Sequence, residues 1–444
     1  MNKSTNQEGI PPELADRLCI MDNAVPVEFV RSEGLETPIG KRPGPFYDDT
    51  VMIHTIHGGD VIHPSYYQDL TRIFPRSQIE KKTTEYYAVE KDWGANQVAW
   101  KLVEYLGMAG YWRVNTARAV MDFGRFPGIT PPGASYQNRF AISYPFSYAL
   151  DFMQKRRLLE LEYDAISRTY ERVTPSKVVK IAIHTYDPFN PGEEGHLTGT
   201  LRPEISILSR SASFQEQKRM PIGLFDRLYP DDLGDYTADR KLTNRLALTL
   251  QKGALGVSIN FPYLMPDGCV EIRSQVWYFF NYLKKVFGER HPDTQEKRAY
   301  KMVWDLLLDT NLRSSSSESL RSFIHMYRTA PRGYEEIFHQ ARLAYEHISN
   351  EFHEHRQALI NSFINSKHRL STLGIEVRKD LVWRFKDKHA RQPVFGPEGV
   401  RWENIKHIAK LLAEGIVEYF ETDQTATRYE VSWLNRALNQ DRTL

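Results

Sequence analysis

An apolar run that breaks off at a histidine and two glycines constrains this chain most. Val51-Met52-Ile53-His54-Thr55-Ile56 stops abruptly at His57-Gly58-Gly59-Asp60. Six consecutive residues of this kind predict a buried strand. A Gly-rich corner after such a strand is where α/β sheets place ligands, at the carboxyl ends of their strands. A second run, Val178-Val179-Lys180-Ile181-Ala182-Ile183, also ends in a histidine, His184.

The segments around these runs predict the rest of the fold. Trp93 to Met108 reads as an amphipathic helix, Ala119 to Phe123 as a short strand, and Tyr148 to Thr169 as a long helix. Ile205 to Leu208 and Leu255 to Phe261 read as strands, with a helix from Asn244 to Lys252 between them. Val270 to Ile272 opens an element that continues to Phe287. This alternation predicts an α/β protein with a mixed, mostly parallel central sheet flanked by helices.

Beyond residue 291 strand-like runs nearly vanish. Thr294 to Leu308, Tyr334 to Ser366 and Glu398 to Phe420 carry helical patterns, and the Ser314-Ser315-Ser316-Ser317 run reads as a linker. Three segments are therefore expected: a lead-in over 1–46, an α/β domain over 47–290, and a helical C-terminal extension over 291–444 packing on it. The extension would serve for packing, for homo-oligomerisation or for covering the site.

Composition narrows the function. With 58 basic and 56 acidic residues the net charge is +2, without the basic excess that nucleic-acid binding usually shows. Two cysteines are too few for a disulfide framework or a Cys-rich metal site. The N-terminus lacks the apolar core of a signal peptide, and no apolar run is long enough to span a bilayer. A cytoplasmic protein with neither nucleic acid nor membrane as partner is expected. No G-x-S-x-G elbow and no nucleotide-binding glycine motif is present.

The two strand-end histidines suggest a metal. His57 and Asp60, three residues apart on one corner, offer an imidazole and a carboxylate, both zinc ligands. His184 lies 184 − 60 = 124 residues after Asp60, so it must come from another strand. Adjacent parallel strands bring their carboxyl ends to one edge. His57, Asp60 and His184 are thus the candidate zinc ligands. His54 reads as a core histidine facing away from His57; His63 and His196 are more distant candidates for a supporting role.

These residues resemble a known family. The HGGD corner, the stretch Thr116-Ala117-Arg118-Ala119-Val120-Met121-Asp122-Phe123-Gly124-Arg125, the strand ending at His184 and the later Arg202-Pro203-Glu204-Ile205-Ser206-Ile207-Leu208 look like N-formylglutamate amidohydrolases. That family is in turn similar to zinc carboxypeptidase-like folds. The resemblance covers roughly residues 45 to 285. It implies Zn2+ on His57, Asp60 and His184, Glu271 as general base, and Arg118 polarising the scissile carbonyl. Arg125, with Arg202 and Arg273, would bind a small amide substrate through its carboxylate. One departure stands out: Gly124 occupies the place of the family's Asn, which removes a substrate-gripping amide.

The expected activity is cleavage of an N-formyl or N-acyl amide of an amino-acid-like substrate, by zinc-activated water with a Glu base. A carboxypeptidase-type metallopeptidase and a non-catalytic binding or assembly protein on the same fold are the rival readings.

Overall fold

The computed structural model describes residues 16–22, 24–131, 133–134, 139–191, 197–211, 225–234, 237–266, 268–311, 313–366 and 369–422. Its contacts divide the chain into two compact units. Among the described residues, one comprises 16–208 with 241–264 and 373–422; the other comprises 209–240 and 265–372. Both are discontinuous in sequence.

The first unit is built on a seven-stranded sheet. Its strands in chain order are β1 (Val27–Arg31), β2 (Val51–Thr55), β3 (Gly110–Val114), β4 (Val179–Tyr186), β5 (Ile205–Leu208), β6 (Val257–Ile259) and β7 (Ser371–Arg378). They lie side by side in the order β6-β5-β7-β4-β2-β3-β1. β2 runs parallel to both β3 and β4, and β6 parallel to β5; β1 and β7 run antiparallel to β3 and β5. The mixed, mostly parallel sheet flanked by helices is thus present. Every residue of β2 and β4 is buried, which explains why both read as continuous apolar runs rather than alternating ones.

The helices α1 (Arg76–Glu90) and α2 (Ala95–Leu106) follow the HGGD corner, α3 (Asp164–Val173) precedes β4, and α4 (Arg240–Lys252) precedes β6. All twelve residues of α2 are buried. The C-terminal helix Trp402–Glu421 packs on α2, with Trp402 edge-on to Trp100 at 6.1 Å between ring centroids.

The second unit is helical. Val270–Arg290 is one 21-residue helix whose Phe279 meets Phe352 and Phe363 at 5.8 and 5.5 Å. Its other helices include Arg298–Leu308, Ser315–His325, Glu335–Glu354 and Arg356–Ile364.

Several expectations change. Ser371-Thr372-Leu373-Gly374-Ile375-Glu376-Val377-Arg378, in the stretch read as helical, is an inner strand of the sheet. The serine run starts a helix instead of linking two: Ser314 accepts a hydrogen bond from the Ser317 N–H, as an N-cap does. Ala119 to Phe123 forms turns, because the peptide groups there bond locally, Val120 N–H to the Ala117 carbonyl and Arg125 N–H to that of Asp122. The lead-in is also part of the architecture: β1 edges the sheet, and Cys19–Ile20 pairs in parallel with Val61–Ile62. Among the described residues no helix is long and apolar enough to cross a membrane.

Candidate metal centre

β2 and β4 pair in register, His54 opposite Ala182. His57, three residues past His54, and His184, two past Ala182, therefore arrive at neighbouring positions on one edge. Their ring centroids lie 4.9 Å apart. The third member is Asp92, on the turn between α1 and α2, where its backbone N–H donates to the His57 carbonyl at 3.1 Å. Asp92 Oδ2 lies 2.9 Å from His184 Nδ1 and 3.3 Å from His57 Nδ1. All three side chains are buried, and their ligand atoms fall within 4.8 Å of one another.

The surroundings are charged and ordered. Asp122 Oδ1 sits 2.7 Å from His57 Nε2 and also accepts the Gly124 N–H at 2.8 Å. Arg118 spans both carboxylates, donating from Nε to Asp122 Oδ2 at 3.2 Å and from Nη1 to Asp92 Oδ1 at 3.4 Å. Arg125 is buried, its Nε 3.8 Å from Asp122 Oδ2. Burial would push Asp92 and Asp122 up, but it is outweighed. His57, His184 and Arg118 hold Asp92 well below the usual carboxylate range; His57, Arg118 and Arg125 do the same for Asp122.

Asp60 is placed elsewhere. Its carboxylate takes the Lys91 ammonium and the Tyr87 hydroxyl, and it is not in the His57–Asp92–His184 group. The reason is electrostatic. Lys91 is almost fully buried, and a buried ammonium needs carboxylate partners, which Asp60 and Asp16 supply. Asp92 is therefore the acidic member that the sequence reading missed. Its one signal was position: a carboxylate just before the helix that begins at Ala95, in the turn Lys91-Asp92-Trp93-Gly94.

The glycines of the corner serve close approach. Neither Gly58 nor Gly59 has positive φ. A Cβ on Gly58 would fall 2.3 Å from Asn96 Oδ1, and one on Gly59 2.4 Å from the Thr116 carbonyl oxygen.

Each remaining candidate is held by its own surroundings. Arg202 is buried between aromatic rings, with its guanidinium carbon 5.1 Å from the Tyr186 ring centroid and Nε donating to Asn190 at 3.0 Å. Glu271 and Arg273 belong to the second unit, on the first turn of Val270–Arg290, and both are buried. Glu271 neighbours the Cys269 thiol, and Arg273 donates to Asn311. His54 is fully buried beside Tyr170, and burial, then the positive Lys180, lower its pKa well below normal. His63 caps the helix Pro64–Asp69 by accepting from the Ser65 N–H. His196 lies outside the described residues.

No protein-family model and no curated protein matches the chain. Solved structures do. A gene product of Agrobacterium tumefaciens aligns over 90% of this chain and 97% of its own, at 14% identity and TM-score 0.42. An N-formylglutamate amidohydrolase from Ralstonia eutropha JMP134 aligns over 89% of this chain and 98% of its own, at 13% identity and TM-score 0.42.

Proposed function

We propose that the chain is a zinc-dependent hydrolase that cleaves the N-formyl or N-acyl amide of a carboxylate-bearing, amino-acid-like substrate. The observation that carries this reading is the buried group of His57, Asp92 and His184. Two imidazoles and one carboxylate are a ligand set of catalytic zinc sites, which keep a further position open.

The residues fit such an ion. Donors bound at about 2.0–2.1 Å in a tetrahedral site stand roughly 3.3 Å apart, close to the 2.9 and 3.3 Å separations of Asp92 Oδ2 from the two Nδ1 atoms. Asp122 accepts the Nε2–H of His57. With its Nε2 side given to Asp122, His57 has Nδ1 left to ligate an ion beside the Asp92 carboxylate, 3.3 Å away. A carboxylate on the far nitrogen of a ligating histidine is the usual second partner of such sites.

Bound zinc supplies Lewis acidity and activates water at neutral pH. The protein's own groups do the rest. Asp122 fixes the His57 ring from its Nε2 side, and Arg118 puts a permanent cation beside the site, suited to a carbonyl oxygen as it gains charge. Glu90, Asp92 and Asp122 with Arg118, Arg125 and Arg139 carry no net charge. A dication makes this two net positive charges, a polarity that draws in a carboxylate. The general base is carried over from the sequence resemblance alone, as Glu271.

Metal analysis of the purified protein, then hydrolysis of formylated and acylated amino acids beside short peptides, tests the reading. We expect about one zinc per chain and turnover of the small amides, both lost in His57→Ala and His184→Ala. Zinc-free protein without amidase activity would sink it. Preference for peptides would favour the carboxypeptidase-type alternative, and Glu271→Gln with full activity would remove Glu271 from the mechanism.

A further inference from the structure

Lys91 is an enclosed charge near the metal centre, and the metal set does not use it. Its ammonium donates to the Gly58 carbonyl at 2.9 Å and to Asp60, and it forms an ion pair with Asp16, 2.7 Å from Oδ1. Both carboxylates are held again from behind, Asp60 by the Tyr87 hydroxyl and Asp16 by the Gln97 amide. Asn96 donates to the same Gly58 carbonyl at 2.9 Å.

The residues fixed here adjoin the proposed ligands. Gly58 follows His57, and Lys91 precedes Asp92. The Asp92 N–H donates to the His57 carbonyl, and the Cys19 N–H donates to the Asp60 carbonyl at 2.9 Å. The corner carrying one ligand and the turn carrying another are thus fastened at one buried ammonium. The segment before β1 contributes the second counter-ion.

On the reading that His57, Asp92 and His184 hold zinc, we propose that Lys91, Asp60 and Asp16 are positioning residues that set the His57-to-Asp92 spacing. Asp16, ahead of β1, is then part of the metal site's foundation. Removing one member leaves buried charge uncompensated, and the corner and turn shift to resolvate it. The ligand atoms move with them, because each is one residue away along the backbone.

Asp60→Asn, Asp16→Asn and Lys91→Met are compared with Lys101→Met, which deletes another buried lysine of the same unit, paired with Glu36 and Glu104. Zinc affinity is measured by competition with a chromophoric chelator, ligand geometry by the visible absorption of the Co2+-loaded protein, and folding by circular dichroism. We expect at least tenfold weaker zinc binding and an altered Co2+ spectrum in Asp60→Asn and Asp16→Asn, with wild-type behaviour in Lys101→Met. Should Lys91→Met fail to fold, the two Asn variants decide alone. Wild-type affinity and spectrum in those variants, or an equal loss in Lys101→Met, would overturn the positioning role while leaving the metal reading intact. A wild-type protein that binds no zinc overturns both.

Discussion

Gly124 presses against the edge of His57: a Cβ built on it falls 2.9 Å from His57 Nε2 and 2.9 Å from Asp122 Oδ1. A side chain there must displace the contact that orients His57. Gly124→Ala is expected to lower zinc affinity by about 10-fold or more, the usual scale for losing an outer partner of a ligating histidine, as read by chelator competition. His54 gives a prediction of the opposite kind. Burial holds its folded pKa well below the unfolded value of 6.5, so the unfolded chain takes up a proton that the folded one refuses. Its contribution to stability is fully present above pH 6.5 and is lost as pH falls toward the folded pKa. The slope is about 1.4 kcal/mol per pH unit for one proton. In denaturant titrations between pH 7 and 5, His54→Leu should flatten the loss of stability by about that slope.

At the scale of elements, the most instructive case is the serine run. Four serines look like a linker because they lack a periodic apolar face, yet Leu320 and Phe323 further on bury one side of the helix they begin. Ser314 closes its N-terminus, and Ser314→Ala should cost about 1 kcal/mol in chemical denaturation. β7 was missed for the converse reason. Its run Leu373-Gly374-Ile375-Glu376-Val377 is short, contains glycine, and follows long helical patterns, so nothing local sets it apart. Pairing with β5 across more than 160 positions of chain makes it a strand. By contrast β2 and β4 were legible because burial on both faces leaves an uninterrupted apolar run.

For the whole molecule, the proposed metal is linked to folding. An ion that binds only the native chain stabilises it by about 2.7 kcal/mol at a hundredfold excess over its Kd. Saturating zinc should therefore raise the melting temperature by several degrees in a scanning fluorescence assay. The shift should vanish in the His57→Ala/His184→Ala double variant and reverse on adding a chelator. An unchanged melt with zinc present would count against the centre as a binding site.

Taken alone, the sequence determined the α/β class, the two inner strands and the histidine that each delivers, because hydrophobic runs and their breakers are local signals. It also marked Arg118, Asp122 and Arg125 as one stretch. Which carboxylate joins the histidines was decided only in three dimensions. Asp60 is nearer in sequence, but a buried lysine claims it. Asp92, 35 residues after His57, is brought in by the turn ahead of α2 and fastened by its own N–H to the His57 carbonyl. Competition between a buried ammonium and a metal centre for nearby carboxylates is a matter of distance and burial. Residue spacing along the chain carries neither.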